Sequence, residues 1–379
     1  MIVGVTGSAG KSSAVAGINA ILSSKYKVKT TGGANSESGI PLSILGLKME
    51  GYGILDWGKM GVIGAIRAIG DWKKYDILVA EMGVDEPTEP KNMGFLLKIL
   101  RPKVGVFLNV YPAHTEQFGN LAAIAAEKGK LIESLPKGGT AVLNADDPKV
   151  LVFKDKTAAQ VVTFGRGREA QVKNFLVEVP GYALATDYGY TFAAAAAVGT
   201  VFGIDVTESR KLLAENLKLP AGRMSVLAGV NGATLLDSSY NASPAAMLGA
   251  LDLLKNYPGK RKIAVLGDMR ELGAMGKEAH KLVAQKALDC ADAVMTVGPL
   301  WEKYFPKSPK LLGQFKSSFP AGEFLLTFLK KGDTVLFKGS QNTIFLEAAV
   351  EKCLADKADA IKLCRRGEYW KRQRQKFTI

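Results

Sequence analysis

The sequence predicts an α/β protein built on two mostly parallel sheets, and three observations predict it. Apolar, β-branched runs of strand length recur along the chain, helical spacings separate them, and the first run ends in a glycine-rich loop. At about 150 residues per domain, 379 residues make two or three domains.

Residues 2–6 (IVGVT) read as a strand that runs into GSAGKSS, and the Ala, Ile and Leu spacing that follows is helical. DILVAE (76–81), KVGVFLNV (103–110) and TAVLNAD (140–146) are continuous apolar runs of the kind buried in parallel sheets. Helical segments such as 120–135 separate them, so a doubly wound sheet follows. A second series begins after Leu219-Pro220-Ala221-Gly222-Arg223, with strands expected at 233–237, 262–268, 293–298 and 333–339. The boundary is placed near Pro220, giving domains 1–220 and 221–379. From Ala355 the pattern is helical and then basic, with Lys362, Arg365, Arg366, Lys371, Arg372, Arg374 and Lys376 against Glu368. Because only Tyr369, Trp370 and Phe377 interleave with these charges, the segment reads as a solvated terminal helix and no nucleic-acid partner is expected.

Composition removes several classes. With 47% hydrophobic and 23% charged residues, and 41 Gly against 15 Pro, the chain is neither disordered nor fibrous. The longest apolar stretch, Tyr190 to Ile204, is Ala-rich and shorter than the ~18 residues of a spanning helix, so no membrane segment is expected. The start lacks a basic n-region and does not read as a signal peptide, which points to the cytoplasm. Cys290, Cys353 and Cys364 lack CxxC spacing; they fit a reducing compartment, exclude a zinc site of the usual spacing, and should be buried or inert. A net charge of +14 favours anionic partners such as nucleotides, phosphorylated substrates or nucleic acid, and does not by itself choose between them.

TGSAGKSS (6–13) has the makings of a phosphate cradle. Gly7, Ser8, Ala9, Gly10 and Ser13 let backbone N–H groups approach oxygens, Lys11 supplies a point charge, and the Ser12 hydroxyl can coordinate Mg²⁺. The general phosphate-loop pattern places a glycine where this chain has Val5, so Gly7 serves the turn instead. The loop reads as an ATP site. Glu81 ends a strand, where ligands collect in open parallel sheets, and a carboxylate there can hold a metal or act as a loop charge. His114, one of two histidines, follows another strand end in NVYPAHTEQFG (109–119); a structural role and a metal or phosphate role both remain open. His280 lies on a helical pattern and reads as a packing or surface residue. Lys128, in IAAEKGKLIESL, would by itself be a solvated charge.

Together these elements resemble the ATP-dependent Mur ligases, and among them the branch that joins D-alanyl-D-alanine to a UDP-linked muramoyl tripeptide. The resemblance is carried in order by TGSAGKSS (6–13), TTGGANSESGIPLSIL (30–45), EMGVDEP (81–87), LNVYPAHTEQFG (108–119), EKGKLIESLPKGGTAVLNADDP (127–148), PAGRM (220–224), LLDSSYNASPAAM (235–247), IAVLGDMRELG (263–273) and VLFKGSQN (335–342). It implies a central ATP-binding domain followed by a Rossmann-like C-terminal domain. The activity it implies is ADP-forming amide ligation through an acyl phosphate, in cell-wall peptide precursor synthesis. Lys11, Glu81, His114 and Lys128 would be catalytic; Ser12, Glu81, His114 and a carbamylated Lys128 would surround Mg²⁺. Arg223 and Asp237 would reach the nucleotide, and Asn35, Asn241 and Lys338 would face substrate, a small carboxylate and an amino acid or dipeptide.

Three departures accompany it. Thr191 stands where the family has an Asn on the adenine side, which leaves nucleotide preference open. Ser238 replaces one of two acidic positions. The loop strand begins at residue 2, whereas ligases of this branch carry a UDP-substrate domain before it; 150–190 also looks abbreviated. A partner protein would then supply the anchor, or the substrate would be another, as in folylpolyglutamate, poly-glutamate or cyanophycin synthesis. A non-catalytic ATP-binding partner protein is the remaining alternative, against which the intact Lys11, Glu81, His114 and Lys128 argue.

Overall fold

The computed structural model describes residues 1–47, 54–69, 74–111, 115–340 and 343–376. It divides into two compact units: residues 1–177 with 188–219, and residues 178–187 with 220–379.

The first unit holds a seven-stranded sheet of β1 (Ile2–Thr6), β2 (Val28–Thr30), β3 (Ile77–Glu81), β4 (Val104–Phe107), β5 (Thr140–Asn144), β6 (Gln160–Gly165) and β7 (Val172–Lys173). Their order is β2-β3-β1-β4-β5-β6-β7, with every pairing parallel. The chain moves first to one side of β1 and then to the other, so the strand order reverses beside β1, where open α/β sheets bind ligands. The central strands are the predicted apolar runs, because burial on both faces demands unbroken hydrophobicity. The expected helix is Leu121–Glu133, capped by the Asn120 side chain accepting from Ala123 N at 2.9 Å.

The alanine-rich stretch becomes a buried helix, Tyr188–Val201, in which Ala193 to Ala197 are inaccessible to solvent. Its small side chains let it lie close to the helix Lys11–Leu22: a Cβ added at Gly17 would stand 3.1 Å from that of Ala195. Among the described residues no helix is long and apolar enough to cross a membrane.

The second unit holds β8 (Ser225–Ala228), β9 (Thr234–Ser238), β10 (Arg261–Gly267), β11 (Ala293–Val297), β12 (Leu311–Phe315) and β13 (Asp333–Lys338), in the order β12-β11-β10-β13-β9-β8. Only the edge strand β8 runs antiparallel. Residues 178–187 join this unit through a bridge of Tyr182 to Ser225. His280 is buried here, accepting from Met269 N at 3.1 Å, with its other ring nitrogen 2.7 Å from Gly276 O and its ring edge-on to Trp301. It is a packing residue. All three cysteines are free and buried, and burial pushes the Cys353 and Cys364 thiols up to about 12.

The terminal segment corrects the sequence reading. It is not one solvated helix: a 3-10 turn, Lys357–Lys362, precedes a short helix, Glu368–Gln375, and between them Arg365 is turned into the interior.

Candidate active site

The register of the first sheet builds the site. Val5 pairs with Glu81 and Thr6 with Phe107, so the ends of β3 and β4 flank the point at which β1 enters the loop. Gly7 (φ 149°) passes so close to β4 that a Cβ would lie 2.9 Å from that of Leu108, and Gly10 (φ 82°) is left-handed at the helix N-cap. The loop is fastened from the β4 side. Asn109 accepts from Ala9 N at 2.9 Å and returns a bond to Ala9 O at 3.1 Å; Ser8 N donates to Asn109 O at 3.0 Å, and Ser8 Oγ donates to Tyr111 O at 3.1 Å. The N-cap of the helix Lys11–Leu22 is Gly10, which has no side chain to close the first turn, the arrangement that receives anions. Lys11 Nζ donates to Gly7 O at 2.9 Å, which keeps its charge at the loop. Ser13, two residues further on, is buried.

On the β3 side, Ser12 Oγ donates to Glu81 Oε2 at 2.7 Å, and Glu81 is only 4% exposed. Thr31 Oγ1 accepts from Glu81 N at 3.2 Å, and Thr6 Oγ1 donates to Met82 O at 2.9 Å, which fixes the strand end. Asn35 lies against the same end: Gly83 N donates to its backbone carbonyl at 3.1 Å, and a Cβ on Gly83 would strike its side-chain amide nitrogen at 2.9 Å. Lys128 is 2% exposed in the helix Leu121–Glu133. Burial, and then the charge of Lys11, lower its amine to about 7, although Asp85, Glu127 and Glu81 pull the other way. That balance shows which charges share its surroundings: the loop lysine, the strand-end carboxylate and Asp85. Glu127 is occupied elsewhere, accepting from Met93 N at 2.8 Å and from Lys130 Nζ at 2.6 Å. His114 lies outside the described residues.

These groups fit a magnesium ion. Mg²⁺ takes hard oxygens, commonly one or two carboxylates beside phosphate oxygens and water, and a serine hydroxyl hydrogen-bonded to a buried carboxylate at a phosphate loop supplies them. Among the described residues no three His, Cys, Asp or Glu side chains group closely enough to hold an ion alone. Thr191, 7% exposed at the start of its helix, faces the loop: a Cβ on Gly10 would stand 3.4 Å from its hydroxyl. The neighbouring Tyr190 hydroxyl donates to Asp146 at 2.9 Å.

The second unit gathers its own polar cluster where β9 and β13 end. Phe337 pairs with Asp237 and Lys338 with Ser238. Lys338 Nζ donates to Ser238 Oγ at 3.0 Å and to Asn241 O at 3.1 Å; burial lowers it to about 8, Asp187 and Asp237 opposing and Arg223 adding to the shift. The Asp237 carboxylate is fully buried and accepts from Ser239 N at 3.0 Å, and burial pushes it above the usual carboxylate range. Arg223 lays its guanidinium 4.6 Å from the centre of the Tyr240 ring. Asn241 is exposed, its side chain accepting from Ala242 N at 2.8 Å. Ser238, the departure from an acidic residue, is thus the hydroxyl that receives the buried lysine.

Sequence reasoning missed Asn109, Asp85 and Tyr240, each of which sits within a quoted motif, and Asp187, which sits in none. Asn109 had a signal: a side chain with both donor and acceptor directly after a strand end, next to a loop that needs latching.

Two family models match the chain, the Mur ligase middle domain over residues 5–186 and the Mur ligase, glutamate ligase domain over residues 222–341. The chain belongs to the Mur ligase family. Among relatives, the UDP-N-acetylmuramoyl-tripeptide–D-alanyl-D-alanine ligase of Synechocystis is 29% identical over 95% of this chain and 76% of its own length. That of Escherichia coli is 30% identical over 78% of this chain and 64% of its own length, so this Mur ligase spans about two thirds to three quarters of those relatives. Among solved structures, the MurF ligase of Thermotoga maritima in complex with ADP is 28% identical, with a TM-score of 0.74 over 93% of this chain and 79% of that one. MurF of Acinetobacter baumannii, at 22% identity and a TM-score of 0.75 over 95% of this chain and 76% of that one, shares the fold.

Proposed function

We propose that this Mur ligase joins a carboxylate to an amine at the expense of ATP, releasing ADP and phosphate, with a UDP-linked muramoyl tripeptide and D-alanyl-D-alanine as the substrates its relatives' names suggest. One observation carries the reading most: a phosphate loop, a Ser12–Glu81 pair and a buried, partly neutral Lys128 converge at one end of a parallel sheet. A nucleotide-binding scaffold has no need of the last of these.

A substrate carboxylate oxygen would attack the γ-phosphorus, breaking its bond to the bridging oxygen so that ADP leaves with the electron pair. The amine would then attack the acyl carbon, lose its proton and expel inorganic phosphate. The loop N–H groups and Lys11 would hold the phosphates and take up the charge that develops on them. Mg²⁺, held by Ser12 and Glu81 with His114 and a carbamylated Lys128, would supply the remaining charge neutralisation. Asn35, beside the strand end, would meet the carboxylate substrate. From the second unit, Arg223 and Asp237 would serve the nucleotide, while Lys338 would hold the loop that presents Asn241 to the amine. Thr191, a hydroxyl where the family has an amide, would read the base less strictly than an asparagine. A cytoplasmic location follows from the need for ATP.

The test is ADP release measured against carboxylates, nucleotide-linked and free, crossed with amino acids and dipeptides. Release that requires both a muramoyl tripeptide and D-alanyl-D-alanine is the expected result. Release with glutamate or another acceptor would replace the substrate assignment, and no release with any pair, from protein that binds ATP, would refute catalysis.

A further inference from the structure

The terminal segment is fastened to the second unit by a pattern of charge that solvation alone does not explain. Two carboxylates one turn apart on the helix Glu347–Cys353 receive three arginines from it. Arg365 pairs with Glu347 at 2.7 Å with both side chains buried, while Arg366 and Arg374 reach Glu351 at 2.7 and 3.1 Å nearer the surface. The inner pair is the unusual one. A guanidinium is costly to bury, and this one is paired, yet it still directs two N–H groups away from its carboxylate: NH1 donates to Ser239 O at 3.5 Å and NH2 to Tyr240 O. Its guanidinium carbon also lies 5.3 Å from the Tyr240 ring centre.

The backbone bears the same mark. Arg365 is left-handed, at φ 54°, a conformation that a long side chain adopts only where its surroundings over-determine it. The beneficiary is the 237–241 loop. Its Ser239 N caps Asp237, its Tyr240 N donates to Gly222 O at 3.2 Å, and its Tyr240 ring carries Arg223. The Tyr240 ring is therefore approached by two guanidinium groups, Arg223 at 4.6 Å and Arg365 at 5.3 Å.

We propose that Arg365 is a positioning residue: held by Glu347, it fixes the backbone of Tyr240 and so sets the platform that orients Arg223. The inference rests on the role given to Arg223 above. It gives the basic terminal run a function in turnover without contact with substrate.

The experiment is a double-mutant cycle on the full chain. A single Arg365→Met change would strand Glu347 in the interior, so the pair is replaced together, Glu347→Leu with Arg365→Met, an exchange of a buried ion pair for apolar groups that folds tolerate. With the melting temperature unchanged, kcat/KM for ATP-dependent ADP release should fall about ten- to a hundredfold, the size of loss that follows removal of an outer support of a functional group. In an Arg223→Ala background the same replacement should change kcat/KM less than twofold, because the residue it positions is gone. Arg365→Lys, which keeps charge but not the fork, should recover only part of the loss. An undiminished kcat/KM in the folded pair variant overturns the inference, as does an equal loss in both backgrounds, which would mark a general structural effect. Wild-type turnover by Arg223→Ala would instead overturn the role of Arg223 itself and this inference with it.

Discussion

Replacing Lys128 by alanine probes the site at the atom whose chemistry departs furthest from its residue type. An ordinary lysine at pH 7 is neutral roughly once in three thousand molecules, whereas an amine lowered to about 7 is neutral in about half of them. Only the neutral amine reacts with CO₂: its lone pair forms the C–N bond, a proton leaves to solvent, and a carbamate anion replaces a cation. The exchange reverses the interaction with Lys11. At an effective dielectric of about 20, two unit charges separated by about 4 to 8 Å interact by roughly 4 to 2 kcal/mol, so repulsion becomes attraction of similar size. Lys128→Ala should lower turnover by roughly 10²- to 10³-fold, the loss expected on removing a charged group that stabilises a transition state, and added acetate should restore part of it. Two readouts do not depend on turnover. In ¹³C-bicarbonate the wild-type protein should show a carbamate resonance that Lys128→Ala lacks. In buffer stripped of CO₂, the unfolded chain binds one more proton at this site than the folded chain between about pH 7 and the ordinary value of 10.5. Stability from this group therefore rises with pH across that window and falls as pH drops toward 7; Lys128→Met should abolish that slope. Wild-type turnover in folded Lys128→Ala, or bicarbonate spectra identical for the two proteins, would refute the reasoning.

Three further outcomes are expected. Lys11→Ala should abolish ATP turnover and weaken ADP binding by calorimetry, yet melt close to the wild type, because the bond from its ammonium to Gly7 O closes within its own loop; unchanged nucleotide affinity would count against the cradle. Glu81→Gln preserves the hydrogen bond to Ser12 and removes the charge, so it should raise the magnesium concentration needed for half-maximal turnover; an unshifted magnesium titration would remove Glu81 from the metal site. Gly129→Ala should destabilise by about 1–3 kcal/mol in urea, because the added methyl would fall 1.9 Å from the Phe153 ring; a denaturation midpoint equal to the wild type would show that this ring yields freely.

The parallel strands were legible because burial on both faces leaves a continuous apolar run, and β1, β3, β4, β10, β11 and β13 carry one. β2, β6, β7 and β12 were not: β2 and β12 are half-exposed edges, β6 is exposed at its start and half-buried over the next two residues, and β7 is two residues long, so none has the contrast that a pattern needs. The same contrast explains the tail. Seven cations in one run look alike in sequence, and which of them turns inward depends on Glu347 and on the Tyr240 carbonyl, both distant in the chain.

The loop of the active site was legible because its chemistry is contiguous, and Glu81 because a strand end has a position before it has neighbours. Lys128 was legible only through family resemblance. Glu127 and Lys128 are adjacent charges on a helix that sequence would leave in water, and it is Gly129 that admits Phe153 and lets this turn be buried. What joins these parts is register, which no local pattern specifies. Ser12 and Glu81 are 69 residues apart and meet at 2.7 Å because Val5 pairs with Glu81. A slip of one residue between β1 and β3 would turn the carboxylate to the opposite face of the sheet. The apolar residues Leu78 and Ala80, packed in the core cluster on one face, would turn with it, so the burial that holds the core also holds the Ser12–Glu81 pair in place.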